Sequence, residues 1–143
     1  MAITFTNVIY DRVIDNLHSI IANEFGIQIF YDEHQGNQSF LLEPVSDDLS
    51  EQISTGSVRD YTISISYQVD FAGNYTKESF RQVSLVAERM KRLIDNNRNY
   101  SVSGTRHFHN AVIDSTVYER DEDNADLLRA NMTAVISAME IIS

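Results

Sequence analysis

His107 and His109 are the residues whose type and spacing come nearest to metal chemistry. On a strand, positions i and i+2 share a face, an acceptable geometry for two zinc or iron ligands. A third ligand would have to come from His34, His18 or Asp114, and only the fold can bring one of them alongside. Two polar residues on a strand face need no metal, and that is the reading adopted here. The run Asp121-Glu122-Asp123-Asn124-Ala125-Asp126 has the acid density of a calcium loop. It puts Ala125 where a ligand is required and Asp126 where the glycine belongs, so it reads as a solvated acidic turn. Asp32-Glu33 and Asp47-Asp48 are carboxylate pairs, but nothing in their spacing sets them across a cleft as glycoside hydrolysis requires. There is no nucleophile elbow around any serine. Gly26, Gly36, Gly56, Gly73 and Gly104 are too scattered to cradle a phosphate. No catalytic, cofactor-binding or metal-binding residue is therefore expected, and no enzyme activity.

Composition narrows the class further. At 143 residues the chain is long enough for one domain with a real core. Lys plus Arg number 11 against 21 Asp plus Glu, a net charge of −10. Sequence-independent gripping of nucleic acid needs the opposite balance, because cations must displace counterions from phosphates. An acidic surface would instead let a polyanion slide past without sticking. The absence of cysteine removes disulfides and thiolates and fits a reducing compartment. MAITFTNVIYDR lacks a basic region followed by an apolar core, so no secretion signal is expected. No apolar run approaches the roughly 18 residues of a membrane span, which leaves a cytoplasm as the expected place of synthesis.

The elements follow from hydrophobic period. Tyr61, Ile63, Ile65, Tyr67, Val69 and Phe71 share one parity, and Thr62, Ser64, Ser66, Gln68 and Asp70 the other. A period of two predicts a long strand from Val58 to Phe71 with one buried and one polar face, in a mainly antiparallel sheet covered on one side. Ile9, Val13, Leu17, Ile20 and Ile21 predict a helix, capped by Thr6 or Asn7 and closed by Gly26 after Phe25. Ile27–His34 and Ser39–Glu43 predict a hairpin around Gln35-Gly36-Asn37, stopped by Pro44. Val45–Ser57 has too few apolar residues for a pattern and is expected to be a mobile loop that binds something or orders on assembly, with a short capped turn of helix as the alternative. Phe80, Val83, Ala87, Met90 and Ile94 predict a second helix, capped by Thr76 or Asn74 and ended by Asn96-Asn97. Tyr100–Ser103 and Phe108–Glu119 predict strand, interrupted near Gly104. Leu127–Ile142 fits both a helical stripe and alternation; strand is chosen because it completes the sheet around the acidic turn 120–126. The expectation is a single α+β domain over residues 1–143, with two helices packed on one face of the sheet.

Two surfaces stand out as places for partners. Thr62, Ser64, Ser66 and Gln68 line the polar face of the central strand, where they meet water or a neighbouring subunit through wet contacts. Asp47, Asp48 and Glu51, with Asp121, Glu122 and Asp123, gather negative charge in the expected loop and the turn.

The order of these pieces resembles the tail terminator, or tail completion, proteins of long-tailed bacteriophages. The likeness is carried by TNVIYDRVIDNLHSII leading into IQIFYDEH, the strand VRDYTISISYQVDF, the helix SFRQVSLVAERMKRLIDNN, and ERDEDNAD leading into LLRANMTAVISAMEI. It covers nearly the whole chain through the order of elements rather than through a diagnostic motif. It implies a virion protein, assembled in the host cytoplasm, whose homohexameric ring caps the tail tube, stops its polymerisation and joins the tail to the head connector. DNA would pass through such a ring without specific binding, and no cofactor or membrane is involved. A head-closure or other neck protein is the alternative within that class. A small metal-binding enzyme using His107 and His109, or a cytosolic binding module, is the alternative outside it.

Overall fold

The computed structural model describes residues 3, 5–73, 78–102 and 105–141. Among them, two helical segments and a six-stranded sheet make an α+β fold. The first helix opens as a π-turn over Ile9–Ile14 and continues as α1, Asp15–Phe25. Neither Thr6 nor Asn7 caps it through a side chain; the Asn7 carbonyl accepts the Asp11 N–H instead, at 2.8 Å. Gly26 ends α1 in the left-handed region, its N–H on the Ala22 carbonyl, as a C′ glycine does. The strands are β1 Ile29–Phe30, β2 Gln38–Ile53, β3 Gly56–Asp70, β4 Tyr100–Val102, β5 Thr105–Arg120 and β6 Leu127–Ile141. Helix α2, Ser79–Asn96, lies between β3 and β4 in the chain; the expected caps Asn74 and Thr76 fall outside the described residues, as do Ser103 and Gly104.

Sheet order is β1-β2-β3-β6-β5-β4. The predicted central strand does sit at the centre: β3 pairs antiparallel with β2 on one side and with β6 along its full length on the other. Its odd-numbered Tyr61, Ile63, Ile65 and Tyr67 are buried. On β6 the same face carries Leu128, Ala130, Met132, Ala134, Ile136 and Ala138, every one buried, so the segment that fitted two periods is a strand. Alanines at 130, 134 and 138 keep that face low where the helices cross it. Val13, Ile14, Leu17, Ile20 and Ile21 from the first helix, and Val83, Ala87, Met90 and Ile94 from α2, close over it.

Three expectations are corrected. β1 and β2 do not form a hairpin: β1 is two residues long and pairs parallel, Ile29 beside Phe40 and Phe30 beside Leu41. Residues 31–37 loop back between them. Pro44 does not stop β2, and residues 45–57 are not an irregular loop. They form the outer half of a β2–β3 ribbon closed by a turn at Ser54-Thr55. Proline is tolerated there because, among the described residues, β2 beyond Leu42 has no ladder partner on its outer side, and the strand bulges between Pro44 and Ser46. β5 is bulged twice, between His109 and Val112 and between Ile113 and Ser115, the first around Asn110 at φ 53°. Each bulge inserts one residue and flips the inward parity, so Phe108, Ala111 and Thr116 lie inward despite their broken spacing in sequence.

Candidate functional site

With both helices on one side, the other face of the sheet is left open, and the registers give its rows. From β2 through β3 and β6 to β5 these run Ser39–Gln68–Arg129–Glu119, then Leu41–Ser66–Asn131–Val117, then Glu43–Ser64–Thr133–Ser115, then Ser46–Thr62–Val135–Val112. The four predicted interface residues Thr62, Ser64, Ser66 and Gln68 thus form the middle column of this face. Thr62 and Ser64 are half-buried and extend, with Thr133 and Ser115, into a strip of hydroxyls.

Ser66 and Gln68 are committed within the chain. The 31–37 loop lays His34 over the sheet, its Nδ1 2.7 Å from Ser39 Oγ and its Nε2 2.9 Å from Ser66 Oγ. Ser66 in turn donates to Asn131 Oδ1 at 2.7 Å. One set of protons satisfies the whole row: Ser39 donates to Nδ1, and Nε2–H donates to Ser66. That is the neutral imidazole. Burial, aided by the nearby Arg129 guanidinium, pushes the His34 pKa down to about 4.

A histidine whose folded pKa lies below the ordinary 6.5 contributes stability in full above pH 6.5, and that contribution is lost as pH falls towards 4. The ring is only half shielded, so solvent screening holds the loss to about 1–2 kcal/mol. Urea melts across that window should show the loss in the natural protein, and a flatter profile in His34→Gln. Identical profiles would contradict the network.

Next to this row, Arg129 holds three elements together. Its Nε donates to Gln68 Oε1 on β3 at 2.7 Å, Nη1 to Glu119 on β5 at 3.2 Å, and Nη2 to Asp121 at 3.0 Å. Asp121 also accepts the Asp123 and Asn124 N–H groups and so shapes the acidic turn. The Arg129 hydrogen bond, followed by the Asn124 N–H, holds its carboxyl below the usual range. Asp121 therefore has a structural role that sequence reasoning missed, while Glu122 and Asp123 are exposed. In the ribbon, Asp47 pairs with Arg59 at 3.1 Å, Asp48 stands opposite Asp60, and Glu51 opposite Val58. The two acid groups lie at opposite ends of the sheet.

The histidines do not converge. His107 and His109 border a cleft of about 240 Å³ with Val58, Phe108 and Met139, and His107 Nδ1 is buried without a hydrogen-bond partner. His18 is engaged with the Tyr31 hydroxyl at 2.6 Å, and His34 with its serines. Among the described residues, no group of three or more His, Asp or Glu could hold a metal ion, and no helix is long and apolar enough to cross a membrane.

Fold and surface together define a class: a two-layer α+β subunit with a bare, hydroxyl-lined sheet face and an edge ribbon. No protein-family model matches the sequence, and no curated protein matches it. Among solved structures, a chain described as "Virion of native gene transfer agent (GTA) particle" shares the fold, with 15% identity, 92% of each chain covered and a TM-score of 0.57. At that identity the likeness speaks of fold alone.

Proposed function

We propose that this chain is a structural virion subunit of the tail-terminator kind, a single domain that joins copies of itself into a ring, six being the number its sequence resemblance implies. The ring caps a tail tube, ends its growth and offers the docking surface for the head connector. The observation that carries this reading is the end-to-end likeness of fold to a chain of a virion particle, 92% of both chains, reached independently of the resemblance in sequence. Two features support it. A net charge of −10 suits a lumen that DNA must traverse, because like charges prevent sticking. The hydroxyl strip around Thr62 and Ser64 suits a wet contact with another protein, and it gathers no catalytic group.

The test is size-exclusion chromatography with light scattering over a concentration series, followed by particle imaging. A closed ring that appears as concentration rises, or on contact with tail tube, is expected. A monomer at every concentration that also ignores tube and connector would overturn the reading. Binding to connector but not to tube would move the chain to the head-closure role.

A further inference from the structure

The ribbon poses a physical question. Every residue of β2 from Glu43 to Gln52 is exposed, and among the described residues no strand pairs with its outer edge there. An exposed edge of this length is a liability that proteins blunt or cover. This one is acidic, with Glu43, Asp47, Asp48 and Glu51 and no base between Glu43 and Ile53. It also carries two large apolar side chains in water, Val45 at 61% exposure and Leu49 at 52%. Acids alone would blunt the edge; Val45 and Leu49 among them are apolar surface that a partner would remove from water.

The opposite edge of the sheet offers the complement. Where α2 begins beside the end of β5, Phe80, Arg81, Ser84 and Tyr118 line an open groove of about 440 Å³. Tyr118 is partly exposed and Leu85, on the same helix, is 64% exposed. Along the same helix stand Arg81, Lys91 and Arg92, Lys91 paired with Glu88 at 2.6 Å, while Arg89 is engaged with Glu24 on α1. Arg81 pairs with Glu78 at 3.4 Å, both side chains facing solvent, the kind of pair that yields readily to a better partner. Ribbon and groove lie on opposite edges, so one chain cannot bring its own together, whereas two copies related head to tail can. Contacts of that kind repeat, and they close into a ring when the rotation permits.

We propose that the acidic ribbon of one copy, anchored by Leu49 and Val45, docks in the Phe80–Tyr118 groove of the next copy and meets the bases of its α2. This rests on the ring reading above and adds to it which surfaces meet. The chain has no cysteine, so engineered thiols report the contact without background. Leu49→Cys and Ser84→Cys, combined in one chain and oxidised in the assembled state, should give a ladder of covalent oligomers, while each single variant gives at most dimers. Circular dichroism confirms that the variants fold. A protein that assembles by light scattering, yet cross-links no further in the double variant than in the single ones, overturns the docking proposal and leaves the ring reading standing. A monomer at every concentration that also ignores tail tube and connector overturns both.

Charge exchange gives a second readout. Asp48→Arg with Glu51→Arg should weaken association by about tenfold or more. Adding Arg81→Glu and Arg92→Glu to that chain should restore it. Unchanged association in the first variant, or no restoration in the second, counts against the contact.

Discussion

Phe40→Ala should lower the unfolding free energy by about 3–5 kcal/mol, a large part of the roughly 5–15 kcal/mol that holds a domain together. Phe40 is fully buried on β2, edge-on to Phe25 at 5.1 Å and tilted against Tyr67 at 5.2 Å. Phe25 ends α1 and has the Arg89 guanidinium 4.7 Å from its ring centroid, so this aromatic cluster joins both helices to the sheet. The Phe40 N–H donates to the Gln28 carbonyl at 2.9 Å and ties the β1 segment to the same spot. Truncation would leave a cavity where these pieces meet. Urea unfolding followed by circular dichroism measures the loss, and hydrogen exchange should quicken first at the C-terminal end of α1. A loss below about 1 kcal/mol would mean that the site collapses freely, contrary to the packing described.

Arg129→Ala should cost about 2–3 kcal/mol at neutral pH. Its side chain is 24% exposed, so part of each interaction is screened, but removing it leaves Gln68, Glu119 and Asp121 without their shared donor. The pH dependence separates this from a mere loss of packing. Because Asp121 is held below the ordinary carboxylate range, its share of the stability is present above that range and lost as pH falls through the lowered value. The gap between natural protein and variant should therefore narrow in acid. A gap that stays constant from neutral pH into acid would show that Arg129 acts through its carbon chain alone.

What could be read from the sequence was whatever one buried face imprints. β3 and α2 each bury one face and leave a period, and both lie where the period put them. β6 carried a mixed signal because small alanines alternate with larger residues, and burial of every even-numbered residue from Leu128 to Ala138 resolves it. The outer half of β2 could not be read for the converse reason: Ser46, Asp47, Asp48, Ser50 and Gln52 are exposed on both sides, so no alternation is selected, and Pro44 mimics a stop. The loop that returns the chain to a parallel β1–β2 pairing lays His34 over Ser39 and Ser66, a contact between positions 32 apart that no local pattern announces. In β5 two bulges break the period that would have marked its inner face. On the candidate surface, parity correctly grouped Thr62, Ser64, Ser66 and Gln68. It had no means of showing that two of the four are occupied by His34 and Arg129, which arrive from elsewhere in the chain.

The most direct measurement is to add the purified protein to tail tubes while they polymerise and to record tube lengths and ends by electron microscopy. A capping subunit should arrest growth, shorten the tubes in proportion to the amount added, and appear as a ring at one end. Tubes that lengthen as before, with bare ends and the protein left in solution, would contradict a role in ending the tail.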